Sequence, residues 1–418
     1  MAEIEPLRAL RYNLGQTGGL QNVIAPPYDV VDPAQRTRLE ARSPYNAVRI
    51  DLPRGDDRYR HAAEQLASWQ AKGAIVRDAE PALWVLAQDY TGPDREARTR
   101  LGFLGRVRID AYGAGRIRPH ERTHPGPRED RLRLTRATRA NLSPIFALFS
   151  DSAGYAREAL GPTTASEPWG HATDDDGTVI RLWRVQDAGA ITAAKGALED
   201  AELLIADGHH RYETARVYAD EVGGEGAHRY VLMCLVALED PGLTVFPTHR
   251  LIRGLQGEQH EALAAALRRD FDIEGLPDVE SLVPGADGRV RIGYFDARSR
   301  RPLMLTLKDP ATADAALPDH SEGYRRLDTA VFEALVLKGA LGMTNEDIDT
   351  LSGLDYARDV EQALSLVKSD HYDAAFFMAA TPVEQVQAIA ASGESMPPKT
   401  TYFFPKVPTG LVFNPLTS

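Results

Sequence analysis

The chain has a single cysteine, Cys234, among 418 residues, which excludes an intramolecular disulfide and a metal cluster held by several thiolates. It also lacks any run of 18 apolar residues, so no membrane-spanning helix is predicted. Its first six residues form no apolar stretch, and no secretory signal is expected. These absences predict a protein of the reducing cytoplasm that is not bound to a membrane.

Positive charge is also scarce, because 48 lysines and arginines stand against 60 acidic residues, for a net charge of −12. Duplex binding depends on neutralising phosphates, so a nucleic-acid partner is not expected. An apolar fraction of 43% is typical of a globular protein. A chain of 418 residues exceeds a usual single core, and two domains, 1–255 and 256–418, are predicted.

The apolar patterns predict an α+β fold with mixed or antiparallel sheets and packed helices, since strand patterns cluster instead of alternating regularly with helices. Two strands are expected at Leu83 to Ala87 and Gly102 to Ile109, with an exposed loop over Asp94 to Arg100 between them. Beyond the domain boundary, Val290 to Phe295 and Leu303 to Leu307 are expected to pair as a hairpin.

The most informative motif is Ala206-Asp207-Gly208-His209-His210-Arg211-Tyr212. A short buried strand precedes it and helical periodicity follows it, so the motif is expected where a strand turns into a helix. The free N–H groups of a first helical turn and the helix dipole favour an anion, and Arg211 adds a forked donor suited to phosphate. The alternative is an ordinary helix start, with Asp207 as the cap and Gly208 in the turn.

In the first interpretation the motif handles phosphate groups. His209 and His210 could donate to a transferring phosphate, and Asp207 could orient a histidine or hold Mg²⁺. Equally, either histidine could simply pack under the turn.

A second polar cluster runs from Ile117 to His124 and contains Arg118, His120 and Glu121. A carboxylate flanked by arginines is expected to be ionised, which makes Glu121 the candidate base for a substrate hydroxyl. The alternative is a surface glutamate paired with a neighbouring arginine.

Other candidates lie elsewhere in the chain. Tyr28 and Asp29 follow a rigid diproline and could face a ligand. His249 and Arg250 follow a turn and could add an anion contact. Lys406 could reach back to phosphates from the C-terminal tail, although a lysine at a domain edge is usually solvated.

Six motifs spread over nearly the full length resemble those of a bacterial protein family, the domain of unknown function 1015 family. They are Arg8-Ala9-Leu10-Arg11-Tyr12, Ala25-Pro26-Pro27-Tyr28-Asp29-Val30, Pro119-His120-Glu121, Ala206-Asp207-Gly208-His209-His210-Arg211-Tyr212, Pro247-Thr248-His249-Arg250 and Met396-Pro397-Pro398-Lys399-Thr400-Thr401-Tyr402-Phe403. This resemblance implies no activity by itself.

Over about 120–215, the Pro-His-Glu and Asp-Gly-His-His-Arg motifs are also similar to those of free-serine kinases of the ParB/sulfiredoxin-like superfamily. That resemblance implies a ParB/sulfiredoxin-like core, with Glu121 as the catalytic base and Asp207, Gly208, His209, His210 and Arg211 around the nucleotide phosphates. It further implies ATP or ADP with Mg²⁺. The two motifs are farther apart here than in those kinases, which implies an insertion near 150–195.

The leading hypothesis is therefore a nucleotide-dependent phosphotransferase acting on the hydroxyl of a small metabolite such as free serine. It expects Arg118, His120, His249 and Arg250 to assist phosphate binding, Tyr28 and Asp29 to contact substrate, and the two polar clusters to face each other. One alternative is a ParB-like nucleotide-binding module without phosphotransfer. Another is a zinc or manganese enzyme using His120, His124, His209 and His210 with Glu121 or Asp207.

Overall fold

The computed structural model describes residues 3–92, 94–110, 115–120 and 125–417, and of 125–127 only the backbone. The strands are β1 (Ile4–Glu5), β2 (Leu10–Tyr12), β3 (Ile75–Arg77), β4 (Leu83–Thr91), β5 (Ala97–Arg108), β6 (Ile117–Arg118), β7 (Ala140–Asn141), β8 (Ile145–Phe149), β9 (Gly170–Thr173), β10 (Val179–Val185), β11 (Leu203–Asp207), β12 (Tyr230–Ala237), β13 (Thr244–Phe246), β14 (His249–Ile252), β15 (Phe271–Gly275), β16 (Arg291–Asp296), β17 (Leu303–Leu307), β18 (Leu354–Ala357), β19 (Ala374–Phe377), β20 (Tyr402–Phe404) and β21 (Asn414–Pro415).

The α-helices are α1 (Leu14–Thr17), α2 (Pro33–Arg42), α3 (Val48–Asp51), α4 (Arg58–Ala71), α5 (Pro125–Thr138), α6 (Tyr155–Leu160), α7 (Ala188–Ala197), α8 (His209–Val222), α9 (Gly257–Asp270), α10 (Pro310–Ala316), α11 (Glu322–Arg325), α12 (Asp328–Val331), α13 (Asn345–Asp349), α14 (Val360–Lys368) and α15 (Val383–Ala391). Single 3₁₀ turns occupy Leu20–Asn22, Tyr28–Val30, Gly161–Ala165, Ala227–Arg229 and Glu280–Leu282, and Phe332–Lys338 is a π-helix.

Contacts divide the chain into two compact units. Unit 1 comprises Met1–Pro119, Thr123–Leu243 and Pro405–Ser418, and unit 2 comprises His120–Arg122 and Thr244–Phe404. The C-terminal segment from Pro405 onward therefore returns to unit 1. Domains 1–255 and 256–418 stay a prediction about folding, and they differ from this contact-based division at 120–122, 244–255 and 405–418.

Unit 1 is built on a large mixed sheet, for which nine strands are found among the described residues. Their order is β6-β11-β8-β12-β5-β4-β10-β9, and β1 pairs with β5. The β6–β11 and β8–β12 pairs are parallel, whereas the other pairs in this sheet are antiparallel. Strand β12 is central and almost wholly buried, which explains its continuous apolar sequence. Apolar residues of α6, α7 and α8 complete the core on one face of the sheet.

Unit 2 contains a sheet in the order β15-β17-β16-β19-β14-β18, and its strand pairs are antiparallel. Separate apolar clusters pack against its two faces, one including α9 and the π-helix, the other including α14. The β16–β17 pair confirms the hairpin expected over 290–307. Together the two units confirm the predicted α+β class with mixed and antiparallel sheets.

The exposed loop expected over 94–100 is wrong in its second half. Ala97 begins β5, and Arg100 is 1% exposed and directly opposite Gln88 of β4. An arginine can be buried here because sequence-distant groups receive it: the Gln88 amide, the Pro405 carbonyl and the Phe146 ring. Sequence patterns do not report such partners. Among the described residues no helix is both long and apolar enough to cross a bilayer.

Candidate functional site

The site is centred on the turn between β11 and α8, where the predicted strand–turn–helix is confirmed. Strand β11 ends with a register shift between Ile205 and Asp207 against β8. Gly208 then adopts a φ of 97°, in the left-handed region that favours glycine, and α8 begins at His209. Gly208 has no side chain with which to cap the helix.

The Asp207 carboxylate receives two cations. The Arg211 guanidinium Nη2 donates to Oδ2, and the Lys406 ammonium Nζ lies 2.5 Å from Oδ1. All three side chains are largely buried, with exposures of 12% for Asp207, 10% for Arg211 and 16% for Lys406. Buried charges must be paired to be tolerated, so this triad fixes the turn.

Arg211 also ties α8 to the chain segment before β8. Its Nη1 donates to Ser143 Oγ at 2.8 Å and to the carbonyl oxygen of Pro144. Burial disfavours the charged form of Arg211, but the carboxylates of Asp207 and Asp29 outweigh it and raise its pKa. The guanidinium therefore stays charged and holds Asp207 in place.

Lys406 is held by its own backbone as well as by its side chain. Gln88 Nε2 donates to the Lys406 carbonyl at 3.0 Å, and Arg100 Nη2 donates to the preceding Pro405 carbonyl at 2.6 Å. Arg100 and Gln88 are themselves joined at 2.5 Å. Adjacent strands β4 and β5 thus position the segment that brings Lys406 to Asp207. No local pattern in the C-terminal tail indicates that Lys406 lies beside β4 and β5, so its sequence alone does not place it at Asp207.

A network of polar side chains, joined by hydrogen bonds, extends from Arg211 through Ser143. Thr409 Oγ1 lies 2.9 Å from Ser143 Oγ and 3.3 Å from Asp51 Oδ2. Arg131 Nη1 donates to Asp51 Oδ1 at 3.1 Å and to its carbonyl at 2.7 Å. Burial raises the pKa of Asp51, and the charge of Arg131 opposes that rise.

This polar network reaches Tyr28, one of the predicted substrate residues. The Arg131 guanidinium carbon lies 4.2 Å from the centre of the Tyr28 ring. Burial and then the Asp29 charge raise the pKa of Tyr28, while the charge of Arg211 acts in the opposite direction. Tyr28 and Asp29 therefore lie within electrostatic reach of Arg211, and unit 1 brings the diproline motif to the Asp207 turn.

The two predicted catalytic histidines begin α8. His209 is buried and His210 is half-buried. Arg118 lies on β6, which runs parallel to β11 with Arg118 opposite Leu204, and its guanidinium pairs with Glu202 at 2.6 Å. The hydrogen bond with Glu202 raises the pKa of Arg118. Glu121 and His124 lie outside the described residues, so the catalytic role of Glu121 and its proximity to Asp207 stay predictions.

The remaining predicted residues, His120, His249 and Arg250, belong to unit 2. His120 Nε2 lies 2.9 Å from Thr401 Oγ1, and its carbonyl accepts from the Met396 N–H at 2.8 Å. Arg250 donates to the Pro398 and Lys399 carbonyls at 3.2 Å. These contacts join His120 and Arg250 to the segment 396–401 within unit 2.

His249 is uncharged at neutral pH. Burial, and secondly the charge of Arg250, lower its pKa to about 3. Its Nδ1 accepts the Met378 N–H at 3.4 Å, which also requires an unprotonated nitrogen. A neutral imidazole provides no net charge for phosphate binding.

The described residues contain no group of three or more histidine, cysteine or acidic side chains arranged to hold a metal ion. Asp207 alone offers a carboxylate at the turn, already shared by two cations. Magnesium commonly uses one or two carboxylates together with substrate phosphates and water. Asp207 has the carboxylate that such a shared site needs, but in this structure a cation lies on each of its oxygens, and it does not form a protein-only metal site.

The fold and this site define an α+β protein with a strand–glycine–helix turn in a large mixed sheet. Residues 4–330 match a family described as protein of unknown function (DUF1015), and the chain belongs to that family. No curated protein matches the chain.

Solved structures similar to the chain include a conserved hypothetical protein from Pyrococcus furiosus, with 16% identity, a TM-score of 0.37 and coverage of 70% of this chain and 90% of that one. A free serine kinase variant in complex with ADP has 13% identity and a TM-score of 0.37 over 69% and 84% of the chains. C-terminally truncated SbnI from Staphylococcus aureus has 13% identity and a TM-score of 0.37 over 72% and 82%.

Proposed function

We propose that this protein is a nucleotide-dependent phosphotransferase that transfers a phosphoryl group to the hydroxyl of a small metabolite such as free serine. The observation that carries the proposal is the turn at Gly208, where a helix N-terminus, Lys406 and Arg211 surround one carboxylate. The sequence similarity of this turn to the phosphate turn of free-serine kinases supports the same function.

The turn has the electrostatics of a phosphate site. Helix α8 is 14 residues long and presents the positive end of its dipole at His209. Lys406 and Arg211 place two positive charges beside Asp207, and Asp29 also lies within electrostatic reach of Arg211. Phosphate oxygens are favoured where first-turn N–H groups and cationic side chains converge.

In this proposal ATP or ADP is the phosphoryl donor, and Asp207 is the residue that would hold Mg²⁺. The metal would neutralise charge that develops on the transferring group. His210 and His209, at the start of α8, would donate hydrogen bonds to phosphate oxygens.

The acceptor side of the proposal assigns Glu121 as the base that takes the proton from the substrate hydroxyl. That role rests on the Pro119-His120-Glu121 motif. Tyr28 and Asp29 are assigned to the substrate because they lie in electrostatic reach of Arg211. A lone cysteine suits a reducing compartment, so the reaction is proposed to be cytoplasmic.

The test is nucleotide binding followed by transfer. Titration calorimetry of the full chain with ADP, ATP and AMP, with and without Mg²⁺, should give saturable binding of at least one nucleotide. Incubation with ADP or ATP, Mg²⁺ and serine should yield phosphoserine together with AMP or ADP by ³¹P NMR. Binding without transfer to any hydroxyl compound would favour the ParB-like module, and absence of binding would refute both.

A matched pair of variants locates the site. His210→Ala should weaken nucleotide binding, whereas His171→Ala, an exposed histidine on β9, should leave it unchanged. Equal effects of the two substitutions would remove the α8 turn from the proposal.

A further inference from the structure

We propose that Lys406 is a phosphate-contact residue that pairs with Asp207 until nucleotide binds. Nucleotide binding then moves the ammonium from the carboxylate to a phosphate oxygen and leaves Asp207 available for Mg²⁺. This inference rests on the proposed function and concerns its order of contacts. It assigns Arg100 and Gln88 as the positioning residues for Lys406.

The present partner of Lys406 motivates the exchange. Its Nζ lies 2.5 Å from Asp207 Oδ1, while the other oxygen, Oδ2, receives Arg211. A carboxylate bonded by two cations has little remaining capacity for a metal ion. Lys406 therefore occupies the position where a cation bound to Oδ1 would lie.

Phosphate changes that balance. A nucleotide phosphate carries more negative charge than one carboxylate, and an ammonium is a mobile point charge on four flexible carbons. Arg211 lies on α8 and is bonded to Ser143 and Pro144, whereas Lys406 lies outside that helix, between β20 and β21. Lys406 is thus the cation of the pair that can move without disturbing α8.

The backbone of Lys406 is fixed even though its side chain can move. The Gln88 amide and the Arg100 guanidinium bind the consecutive carbonyls of Lys406 and Pro405. Arg100 is 1% exposed, so this anchor is buried in the sheet and independent of solvent. Because the backbone is fixed, the ammonium can move only within the neighbourhood of Asp207.

The first test is Lys406→Met, which keeps an unbranched side chain, one atom shorter, and removes its charge. ADP affinity measured by calorimetry without Mg²⁺ should fall about tenfold or more, the usual effect of losing a hydrogen bond to a charged group. Lys406→Arg should retain part of the affinity. Lys72→Met, at an exposed lysine after α4, is the matched control and should bind as the wild type does.

The second test has the opposite sign. Without Mg²⁺, Asp207→Asn should strengthen ADP binding, because Lys406 is released and the carboxylate no longer repels phosphate. The same variant should lose the gain in affinity that Mg²⁺ gives the wild type. If Asp207 were only a metal ligand or only structural, the Asp207→Asn variant would not bind nucleotide more tightly than the wild type.

The positioning role is tested by a double-mutant cycle. Gln88→Ala should weaken ADP binding, and in the Lys406→Met background it should cause no further loss. An additive loss would show that Gln88 acts independently of Lys406.

The two levels of the proposal fail in different ways. If the wild type binds no nucleotide, the proposed function is wrong. If the wild type binds ADP but Lys406→Met binds it equally well, or Asp207→Asn binds it no better without Mg²⁺, the exchange is wrong and the proposed function stands. Circular dichroism of each variant confirms that the compared proteins are folded.

Discussion

The guanidinium carbon of Arg131 lies 4.2 Å from the centre of the Tyr28 ring, and the same guanidinium pairs with the buried Asp51. One side chain of α5 thereby joins the diproline motif to the polar network that leads to Arg211. The geometry of the candidate site depends on this contact, although Tyr28 and Arg131 are over 100 residues apart in the sequence.

Arg131→Met should destabilise the protein strongly. The Arg131 and Asp51 side chains are 7% and 6% exposed, so the variant leaves a buried carboxylate without its cation. Breaking a buried pair in this way costs about 3–5 kcal/mol. Urea denaturation measures the change. Arg133→Met, which breaks an exposed pair with Glu129 on the same helix, should cost only about 0–1 kcal/mol. Similar losses in both variants would contradict the structural role of Arg131.

Gly208→Ala should also be destabilising, for a local reason. The φ of 97° is unfavourable for a side-chain-bearing residue, and an added Cβ would lie 3.0 Å from Arg211 Nε. We expect a loss of about 1–2 kcal/mol and weaker nucleotide binding. Gly196→Ala in α7 is the control, because an added Cβ meets nothing within 4 Å there. That substitution should stabilise the protein by about 0.5–1 kcal/mol in thermal unfolding. A neutral result at Gly208 would argue against the left-handed turn.

Stability should decrease with acid through His249. Burial lowers its pKa to about 3 from 6.5, so folding favours the neutral imidazole. The contribution is complete above pH 6.5 and is lost as the pH falls from 6.5 towards 3, at up to about 1.4 kcal/mol per pH unit. His249→Gln should flatten this dependence in urea titrations between pH 4 and 7.5.

Asp328 contributes a pH dependence of opposite sign, because burial raises its pKa to about 6 and its stabilising contribution is lost as the pH rises through that value. Comparison of the wild type with His249→Gln isolates the histidine. His61→Gln on the exposed face of α4 is the control and should keep the wild-type slope. An unchanged slope in His249→Gln would show that the imidazole does not titrate as expected.

Glu121→Gln tests the proposed base. The amide cannot accept the hydroxyl proton, so transfer should fall by about 10²–10⁴-fold, while ADP affinity stays near the wild-type value. Product formation followed by ³¹P NMR and binding followed by calorimetry separate the two effects. Glu129→Gln on α5 serves as the matched control. Undiminished transfer in Glu121→Gln would assign the base elsewhere.

Cys234 should be inert in the folded protein. It lies buried in β12, and burial raises the pKa of its thiol to about 12, which suppresses the reactive thiolate. Ellman's reagent should therefore label the chain only at the rate of unfolding, and one thiol should react in denaturant. Fast labelling of the native protein would show that β12 opens locally.

Several features of the fold could be predicted from local pattern. The strand before Asp207 is apolar, Gly208 permits a left-handed turn, and helical spacing begins at Tyr212, so the strand–turn–helix is encoded within about twenty residues. The hairpin of β16 and β17 was predictable for the same reason. The end of the 94–100 loop was not, because burial of Arg100 depends on Gln88, Phe146 and Pro405.

The grouping of the site was predictable only in part. The types and flanking residues of Asp207, Arg211, Tyr28 and Asp29 mark them as site candidates, but no local pattern indicates that Tyr28 lies near Arg211. Asp51 and Thr409 were not among the residues that the sequence indicated. Each is an ordinary residue type in an unremarkable local context, and only long-range contacts give it a role.

The sequence by itself determined the α+β class and the strand–turn–helix at Gly208, because backbone preference and hydrophobic period act over a few residues. Its motifs also indicated the family. The tertiary structure alone decided that Lys406, between β20 and β21, meets Asp207, and that Arg131 lies over the Tyr28 ring. Pairing of buried charges depends on which segments the folded sheet brings side by side, and no local pattern records that.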